Sequence, residues 1–230
     1  METQSILKPK TRLTFINNIL YKVDSNNKIL KYKSWLGDYF AFLYDRIMEK
    51  NVFPNKFDAD IALHNKFWRQ ELGEFHYNKI LEIGTGSGVA ANWLHSSNEY
   101  HGIDISPGLL KKAVKKFRRS GFRNCNYYIL ESKNLIFYDN SFDLCLCILT
   151  MNFLTNLDKV LMEISRVLQD EGKFYGCVPV PEKNHLNTRI NGNLLTENQL
   201  KEKFQKLGFK WHPYTIENGT LLYFKAVNFK

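Results

Sequence analysis

The chain has 230 residues, which is enough for one large α/β domain with an appended N-terminal piece. Its 32 Lys and Arg against 23 Asp and Glu give a formal net charge of +9, which would favour an anionic partner, although lysine is spread over the whole chain. The four cysteines have no CxxC spacing, which disfavours a zinc site or a disulfide framework, and no apolar run has the ~20 residues of a membrane-spanning helix.

Residues 1–75 are predicted to form an N-terminal cap that recognises the substrate. The first ten residues lack the apolar core of a signal peptide, so we expect a cytoplasmic protein. Residues 19–35 alternate around a polar turn and predict a small hairpin, whereas residues 35–50 and 57–72 carry apolar residues at helical spacing. The aromatic residues of the first helical stretch are more typical of core packing than of a ligand site: Trp35, Tyr39, Phe40, Phe42 and Tyr44.

From about residue 80, short apolar runs alternate with amphipathic helical patterns, which is typical of a parallel sheet covered by helices on both faces. The predicted strands cover residues 79–83, 100–105, 126–130, 142–149 and 173–180. The predicted helices cover residues 88–96, 107–120 and 157–168. Five parallel strands are therefore expected.

The C-terminal segment breaks this alternation. Thr196 and Gln199 match a capping box and Gly208 is a helix stop, so a helix is predicted between them. Two strand-like runs follow, joined at Asn218 and Gly219, a pair that favours a tight hairpin turn. We expect an antiparallel hairpin at this end of the sheet, which brings the strand count to seven.

Three glycines, Gly84, Gly86 and Gly88, lie between the first predicted strand and the first predicted helix. Without side chains they let a ligand approach the backbone, and the N–H groups of a helix N-terminus favour a nucleotide-like ligand. Asp104 ends the next strand about 20 residues later, where a carboxylate can accept hydrogen bonds from ribose hydroxyls. Ser106 already begins the following helix, so Asp104 is expected to be left free for the ligand. The spacing leaves dinucleotides and S-adenosylmethionine both open.

Four segments together resemble the class I S-adenosylmethionine-dependent methyltransferases, in particular the methyltransferase type 11-like subgroup that methylates small molecules, quinones and phospholipid headgroups. They are LEIGTGSG at 81–88, HGIDIS at 101–106, SFDLCLC at 141–147 and EISRVLQDEGKF at 163–174. The resemblance implies a Rossmann-like α/β fold with a seven-stranded sheet, parallel except for the C-terminal hairpin, and a helical N-terminal cap. It also implies S-adenosylmethionine as the cofactor, bound by residues 76–230.

The resemblance further implies roles for individual residues. Glu82 would help orient the glycine loop and the methionine ammonium group, while Asp104 would bind the ribose hydroxyls and Ile105 would pack on adenine. Glu131 falls where the family has an aspartate that accepts the adenine amino hydrogen, and Ser132 falls where a backbone N–H reaches the ring. The implied cofactor-binding set is Glu82, Gly84, Thr85, Gly86, Gly88, Asp104, Ile105, Glu131, Ser132 and Leu149.

The sequence indicates the methyl acceptor less clearly than the cofactor. Residues 149–154 would line the methyl-transfer cavity, but they carry neither the proline-rich signature of exocyclic-amine methylases nor the His-His pair of some small-molecule relatives. Because methyl transfer from a sulfonium can proceed largely by alignment of the reactants, no catalytic residue and no metal ligand is assigned. We expect a small-molecule or lipid-like substrate.

Two alternatives remain open. The net charge is compatible with an RNA methyltransferase, and the lack of an assigned base is compatible with a non-catalytic S-adenosylmethionine-binding protein. The basic residues of the helix at 107–120 are interpreted as a solvated outer face rather than a phosphate-docking surface: Lys111, Lys112, Lys115, Lys116, Arg118 and Arg119. Oligomeric state is not predicted.

Overall fold

The computed structural model describes residues 6–9, 11–32 and 41–230. In this part of the chain a single mixed sheet runs in the order β1-β2-β5-β4-β3-β6-β7-β9-β8. The strands are β1 Leu13–Ile16, β2 Ile19–Lys22, β3 Lys79–Ile83, β4 Glu99–Asp104, β5 Cys125–Ile129, β6 Phe142–Ile148, β7 Leu168–Pro179, β8 Phe209–Tyr214 and β9 Leu221–Asn228. Neighbours from β2 to β7 in this order pair in parallel, whereas β1 with β2, β7 with β9 and β8 with β9 pair antiparallel.

The α/β architecture and the C-terminal antiparallel hairpin are confirmed, but the sheet has nine strands and not seven. The two additional strands form a hairpin turned by Asn17 and Asn18, whose φ values of 51° and 63° suit a two-residue turn with the twist of the strands. Of the hairpin predicted within residues 19–35, the structure has β2 and an antiparallel bridge between Val23 and Ile29 across the polar turn, but no second full strand in the described residues; residues 33–35 lie outside them. Asp24 Oδ1 accepts hydrogen bonds from the N–H groups of Asn26 and Lys28, so the polar stretch is a side-chain-stabilised turn closed only by a single bridge.

Helices cover both faces of the sheet. They are α1 Tyr44–Ile47, α2 Ile61–Leu72, α3 Pro107–Arg119, α4 Leu157–Val167 and α5 Glu197–Lys206. One buried cluster joins Trp68 of α2 and Phe117 of α3 to Ile80 of β3, while another joins Ile164 of α4 to Leu81 of the same strand. Because successive strand residues face opposite sides, the single run KILEI contributes to both cores.

Residues 41–57 form one continuous helical segment, which we call the cap segment. It begins with a 3₁₀ turn at Ala41–Leu43, passes through α1 and continues as a π-helix at Met48–Phe57. Asp58, with φ 49°, ends it, so α2 starts at Ile61 and not at residue 57; the Asp60 carboxylate caps α2 by accepting from Ala62 N–H at 2.6 Å. The aromatic positions Trp35, Tyr39 and Phe40 lie outside the described residues.

The helix predicted at 88–96 is wrong, since only a 3₁₀ turn at Val89–Asn92 follows the glycines. Trp93 is buried and donates its indole N–H to Asn65 Oδ1 at 2.9 Å, which draws the chain away from a helical path towards α2. Strand β4 then begins at Glu99, so there is no length for further turns.

The C-terminal elements agree with the prediction except at one turn. The capping box of Thr196 and Gln199 is present at the start of α5. The β8–β9 connection, however, covers residues 215–220 and is not a two-residue turn. Thr220 N–H donates to Phe57 O at 2.7 Å, and a Cβ on Gly219 would lie 2.2 Å from Asp58 O. The loop thus packs against the end of the cap segment instead of closing tightly.

Candidate functional site

The glycine loop lies at the carboxyl end of β3, wedged between β6 and α3. Gly84, Gly86 and Gly88 all have positive φ, at 74°, 54° and 78°. A Cβ on Gly84 would lie 2.3 Å from the side chain of Thr150, and one on Gly88 would lie 2.6 Å from the α3 backbone. Both positions therefore need glycine for conformation and for space.

Asp104 ties this loop to the end of β4. Its Oδ2 accepts from Gly86 N–H and its Oδ1 accepts from Ser106 N–H, both at 2.8 Å. Ser106 caps α3 as expected, accepting from Leu109 N–H at 3.2 Å, but the expectation that this leaves Asp104 without partners is wrong. Carboxylate oxygens can each accept more than one hydrogen bond, so these contacts are compatible with a role towards ribose hydroxyls.

A cavity of about 320 Å³, here called the outer chamber, opens on the Asp104 side of the loop. Ile105, 42% exposed, is an apolar residue of its wall that follows Asp104 in the chain. The sequence-predicted residues that line the outer chamber are Gly84, Gly86, Asp104, Ile105, Ser132 and Leu149. Among the described residues Glu131 is not part of this wall; its carboxylate pairs with Lys133 Nζ at 3.0 Å.

Leu149 is a strained residue at the end of β6. Its φ is 54°, a left-handed conformation that costs a non-glycine residue about 1–2 kcal/mol. Its N–H donates to Cys177 O at 2.8 Å, which holds the strained backbone in place. Leu149 lines two cavities, one on each side of the glycine loop, so the strained backbone lies at the boundary between these cavities.

The second cavity, here called the inner chamber, has a volume of about 230 Å³. It lies between the glycine loop, the cap segment and α2. Residues shared by the two chambers are Tyr44, Gly84, Gly86, Leu149 and Thr150. Residues of the inner chamber alone include Glu82, Thr85, Ser87, Asp45, Met48, Phe53, His64 and Lys116. The chambers are thus neighbouring halves of one cleft over the ends of β3 and β6.

Glu82 is a buried acid on the inner-chamber wall. Burial raises the pKa of Glu82 to about 8, against a hydrogen bond donated by the Tyr100 hydroxyl to Glu82 Oε2. Thr85 is buried beside this pair, with its Oγ1 3.1 Å from the same Tyr100 hydroxyl. Glu82 is therefore largely protonated near neutral pH until a cation approaches it.

His64 of α2 is the second buried titratable group on this wall. Its Nδ1 lies 3.0 Å from the Tyr223 hydroxyl, and aromatic rings of Phe53, Trp68 and Trp93 surround it. Burial lowers the pKa of His64 to about 3, so the imidazole is neutral near pH 7. From the sequence, the resemblance implied only that the N-terminal helix carrying His64 would lie near the substrate cavity, and no catalytic role was assigned to it; the structure places His64 on the inner-chamber wall.

Asp45 of the cap segment joins the cap to the loop and to α3. It accepts a hydrogen bond from Ser87 Oγ and forms ion pairs with Lys112 Nζ at 3.1 Å and Lys116 Nζ at 3.4 Å. Burial opposes ionisation of Asp45, but Ser87 and the two lysines outweigh it and keep its pKa below the ordinary value. Two of the six basic residues assigned to a solvated face of α3 therefore turn towards the cap instead.

The length of the 3₁₀ turn at Val89–Asn92 affects which class of ligand the glycine loop can bind. Phosphate groups of dinucleotides are bound by the N-terminus of a full helix, through aligned N–H groups and the helix dipole. The turn here has four residues, too few for that arrangement. The cleft therefore favours a nucleoside ligand without phosphates.

In residues 6–9, 11–32 and 41–230, no group of three or more His, Cys, Asp or Glu side chains is arranged to hold a metal ion. No helix in the same ranges combines the length and apolar character needed to cross a membrane.

Comparison with known sequences identifies a methyltransferase domain. Residues 81–176 match the model of this domain family. The chain is 32% identical over 96 residues to the sterol 4-C-methyltransferase strm-1 of Caenorhabditis elegans, covering 41% of this chain and 29% of that protein. It is 30% identical over 138 residues to a demethylmenaquinone methyltransferase of Thermotoga maritima, covering 57% of each chain. The chain thus spans less than two thirds of the length of these relatives.

Solved structures share the fold at low sequence identity. The YcgJ protein of Bacillus subtilis superposes with a TM-score of 0.62 and 13% identity, over 72% of this chain and 98% of that one. A SAM-dependent methyltransferase from Aquifex aeolicus gives a TM-score of 0.61 and 17% identity, over 80% and 96%. These similarities establish a common architecture.

Proposed function

We propose that the chain, as a class I S-adenosylmethionine-dependent methyltransferase with S-adenosylmethionine as its cofactor, methylates an apolar small molecule. The observation that carries the proposal is the divided cleft around the glycine loop. One chamber has the ribose-type carboxylate and an apolar wall, and the other has a buried acid.

The cofactor fits this cleft in one direction. Asp104 would bind the ribose and Ile105 would pack on the base of an adenosine group in the outer chamber. Glu82 would meet the ammonium group of a methionyl group in the inner chamber. The sulfur of the cofactor would then lie at the boundary of the two chambers, which Gly84, Leu149 and the other shared residues form. Because Thr150 leaves no room for a side chain at position 84, the backbone of Gly84 lines this boundary.

The residues around this boundary act by alignment and exclusion of water. When bound, the cofactor supplies a methyl group on an activated sulfonium, which needs only an in-line approach of the acceptor. Tyr44 of the cap segment borders both chambers and, with the cap, shields the reacting centre from solvent. No base is required for an acceptor that is already nucleophilic, and the neutral His64 is not assigned as one.

The acceptor is proposed to be lipid-like. Phe153, which is 53% exposed, and Leu154 line the outer chamber next to Thr150 and give it an apolar border. Such a border favours an apolar body over a charged one. The names of the relatives, a sterol and a demethylmenaquinone methyltransferase, indicate acceptors of this kind.

The test begins with calorimetric titration of S-adenosylmethionine and S-adenosylhomocysteine into the wild type and Asp104→Ala. We expect wild-type binding and a loss of about 1–3 kcal/mol in the variant, the cost of removing a charged hydrogen-bonding partner. Because Asp104 also holds Gly86 and Ser106, the free energy of unfolding of the variant is measured in parallel. Absence of wild-type binding by folded protein would overturn the cofactor assignment.

Methyl transfer is tested separately. The wild type is incubated with S-adenosylmethionine and either reduced demethylmenaquinone or a sterol, and formation of S-adenosylhomocysteine and methylated product is followed. Transfer to either acceptor supports the proposal. Tight cofactor binding with no transfer to these or to an apolar metabolite extract would contradict the enzymatic part of it.

A further inference from the structure

The charges around Asp45 do not balance. One carboxylate is paired with two ammonium groups, Lys112 and Lys116, so the cluster carries one positive charge in excess. The Ser87 hydroxyl, which donates to the same carboxylate, adds no charge. Because Lys112 also pairs with Asp45, the second lysine keeps the capacity to pair with an anion that enters the neighbouring cavity, whose wall also includes Glu49.

The two lysines are not equivalent. Lys112 Nζ lies 3.1 Å from Asp45 and also donates to Ala41 O at 2.9 Å, so two groups of the cap segment hold it. Lys116 has the longer pairing at 3.4 Å, and of the two it is the one that lines the inner chamber. Lys116 is therefore the cation that can be shared with a ligand.

The inner chamber also has an acidic wall. Glu82 lines the same cavity; burial raises its pKa, and the positive charge of Lys116 partly opposes that rise. The chamber thus carries a potential anion and a cation within electrostatic range of each other. This arrangement matches a zwitterion such as an amino acid group.

We propose that Lys116 binds the carboxylate of the cofactor's methionyl group, while Lys112 keeps Asp45 and the cap segment in place. The inference rests on the proposed function, since it assumes that S-adenosylmethionine occupies the cleft. It assigns to the basic face of α3 a role in cofactor recognition. Lys116 would make the cleft selective for ligands that retain the amino acid end.

The experiment compares two ligands that differ only at that end. S-adenosylhomocysteine carries the amino and carboxyl groups, whereas 5′-methylthioadenosine keeps the adenosine and the thioether but lacks both. Lys116→Met is expected to weaken S-adenosylhomocysteine binding about tenfold in calorimetry, as befits a hydrogen bond to a charged group, and to change the affinity for 5′-methylthioadenosine less than twofold. Lys116→Arg retains the cation and should restore most of the loss.

Lys115→Met is the matched control, because Lys115 is exposed on the same helix and its loss changes the net charge equally. Both ligands should bind it as they bind the wild type. Equal weakening of both ligands by Lys116→Met would show a structural role and overturn the inference, as would unchanged S-adenosylhomocysteine affinity. Failure of the wild type to bind either ligand would instead refute the proposed function.

Discussion

The outer and inner chambers differ in what their walls can recognise. The outer chamber has Asp104, whose carboxylate is already tied to two backbone N–H groups, and an otherwise largely apolar wall. The inner chamber collects charged and titratable side chains from β3, the cap segment, α2 and α3: Glu82, Asp45, Glu49, His64 and Lys116. One half of the cleft is therefore suited to shape and hydroxyl groups, and the other half to charge. The glycine loop borders both halves, together with Tyr44, Leu149 and Thr150.

The largest effect is expected where the chambers meet, at Gly84→Ala. A left-handed alanine costs about 1–2 kcal/mol anywhere, and here its Cβ would also lie 2.3 Å from Thr150 side-chain atoms. Gly121→Ala is the matched control, because Gly121 has φ +85° but its nearest neighbours are 3.9 Å away. Denaturant unfolding should place Gly84→Ala about 2 kcal/mol below Gly121→Ala.

The same two variants, Gly84→Ala and Gly121→Ala, also distinguish an effect on ligand binding from an effect on stability alone. Calorimetry should show that Gly84→Ala loses both S-adenosylhomocysteine and 5′-methylthioadenosine, since both cross the boundary. Gly121→Ala should bind both normally. Comparable stability and comparable binding in the two variants would disprove the boundary assigned to Gly84.

A smaller effect is expected in the inner chamber, where Glu82 should make the free energy of unfolding depend on pH. Burial raises the pKa of Glu82 to about 8 in the folded protein, above its ordinary value of 4.5, so the folded state binds more protons than the unfolded state between these values. The stability that this proton contributes is present at low pH and is lost as the pH rises towards 8, at no more than about 1.4 kcal/mol per pH unit. Glu82→Gln should not show this loss of stability, because the glutamine side chain does not titrate.

We therefore expect the free energy of unfolding of Glu82→Gln minus that of the wild type to be larger at pH 8 than at pH 6, which means that the variant gains relative stability as the pH rises. Urea titrations of both proteins at several pH values measure this difference, in which titrations common to both proteins cancel. A difference that is constant with pH, or that changes in the opposite direction, would show that Glu82 is ionised in the folded state.

The smallest effect is expected outside both chambers, at Glu131→Gln. The Glu131 carboxylate is largely exposed and pairs with Lys133, and such surface pairs contribute at most about 1 kcal/mol. Affinity for S-adenosylhomocysteine should change less than twofold. A loss of tenfold or more would restore the adenine contact expected from the sequence, and would require the loop after β5 to close on the ligand.

The sequence predicts the outer chamber better than the inner one, for a physical reason. Strand β3, the glycines and Asp104 follow one another in a short stretch whose backbone geometry depends on local residue types, so their proximity can be inferred. Asp45, His64 and Lys116 come from elements that meet only in the folded chain. Helical periodicity predicted which face of α3 is buried. It could not show that the cap segment packs against Lys116 through Asp45.

Errors in the predicted elements have similar causes. The 3₁₀ turn at Val89–Asn92 depends on the anchoring of Trp93 by Asn65, a contact between segments. The β1–β2 hairpin has only four residues in each strand, too few for alternation to be distinctive. The C-terminal helix was predicted accurately because its capping box is local. The proposed division at residue 75 stays a prediction.

The β1–β2 hairpin has a consequence for the behaviour of the protein in concentrated solution. It covers the backbone of β5, which would otherwise be an open border of the sheet, and replaces it with a border only four residues long. The opposite border, β8, contains Pro213, which cannot donate to another strand. Short or proline-bearing borders are poor templates for strand addition by a second molecule. Removal of the hairpin should therefore favour aggregation through β5.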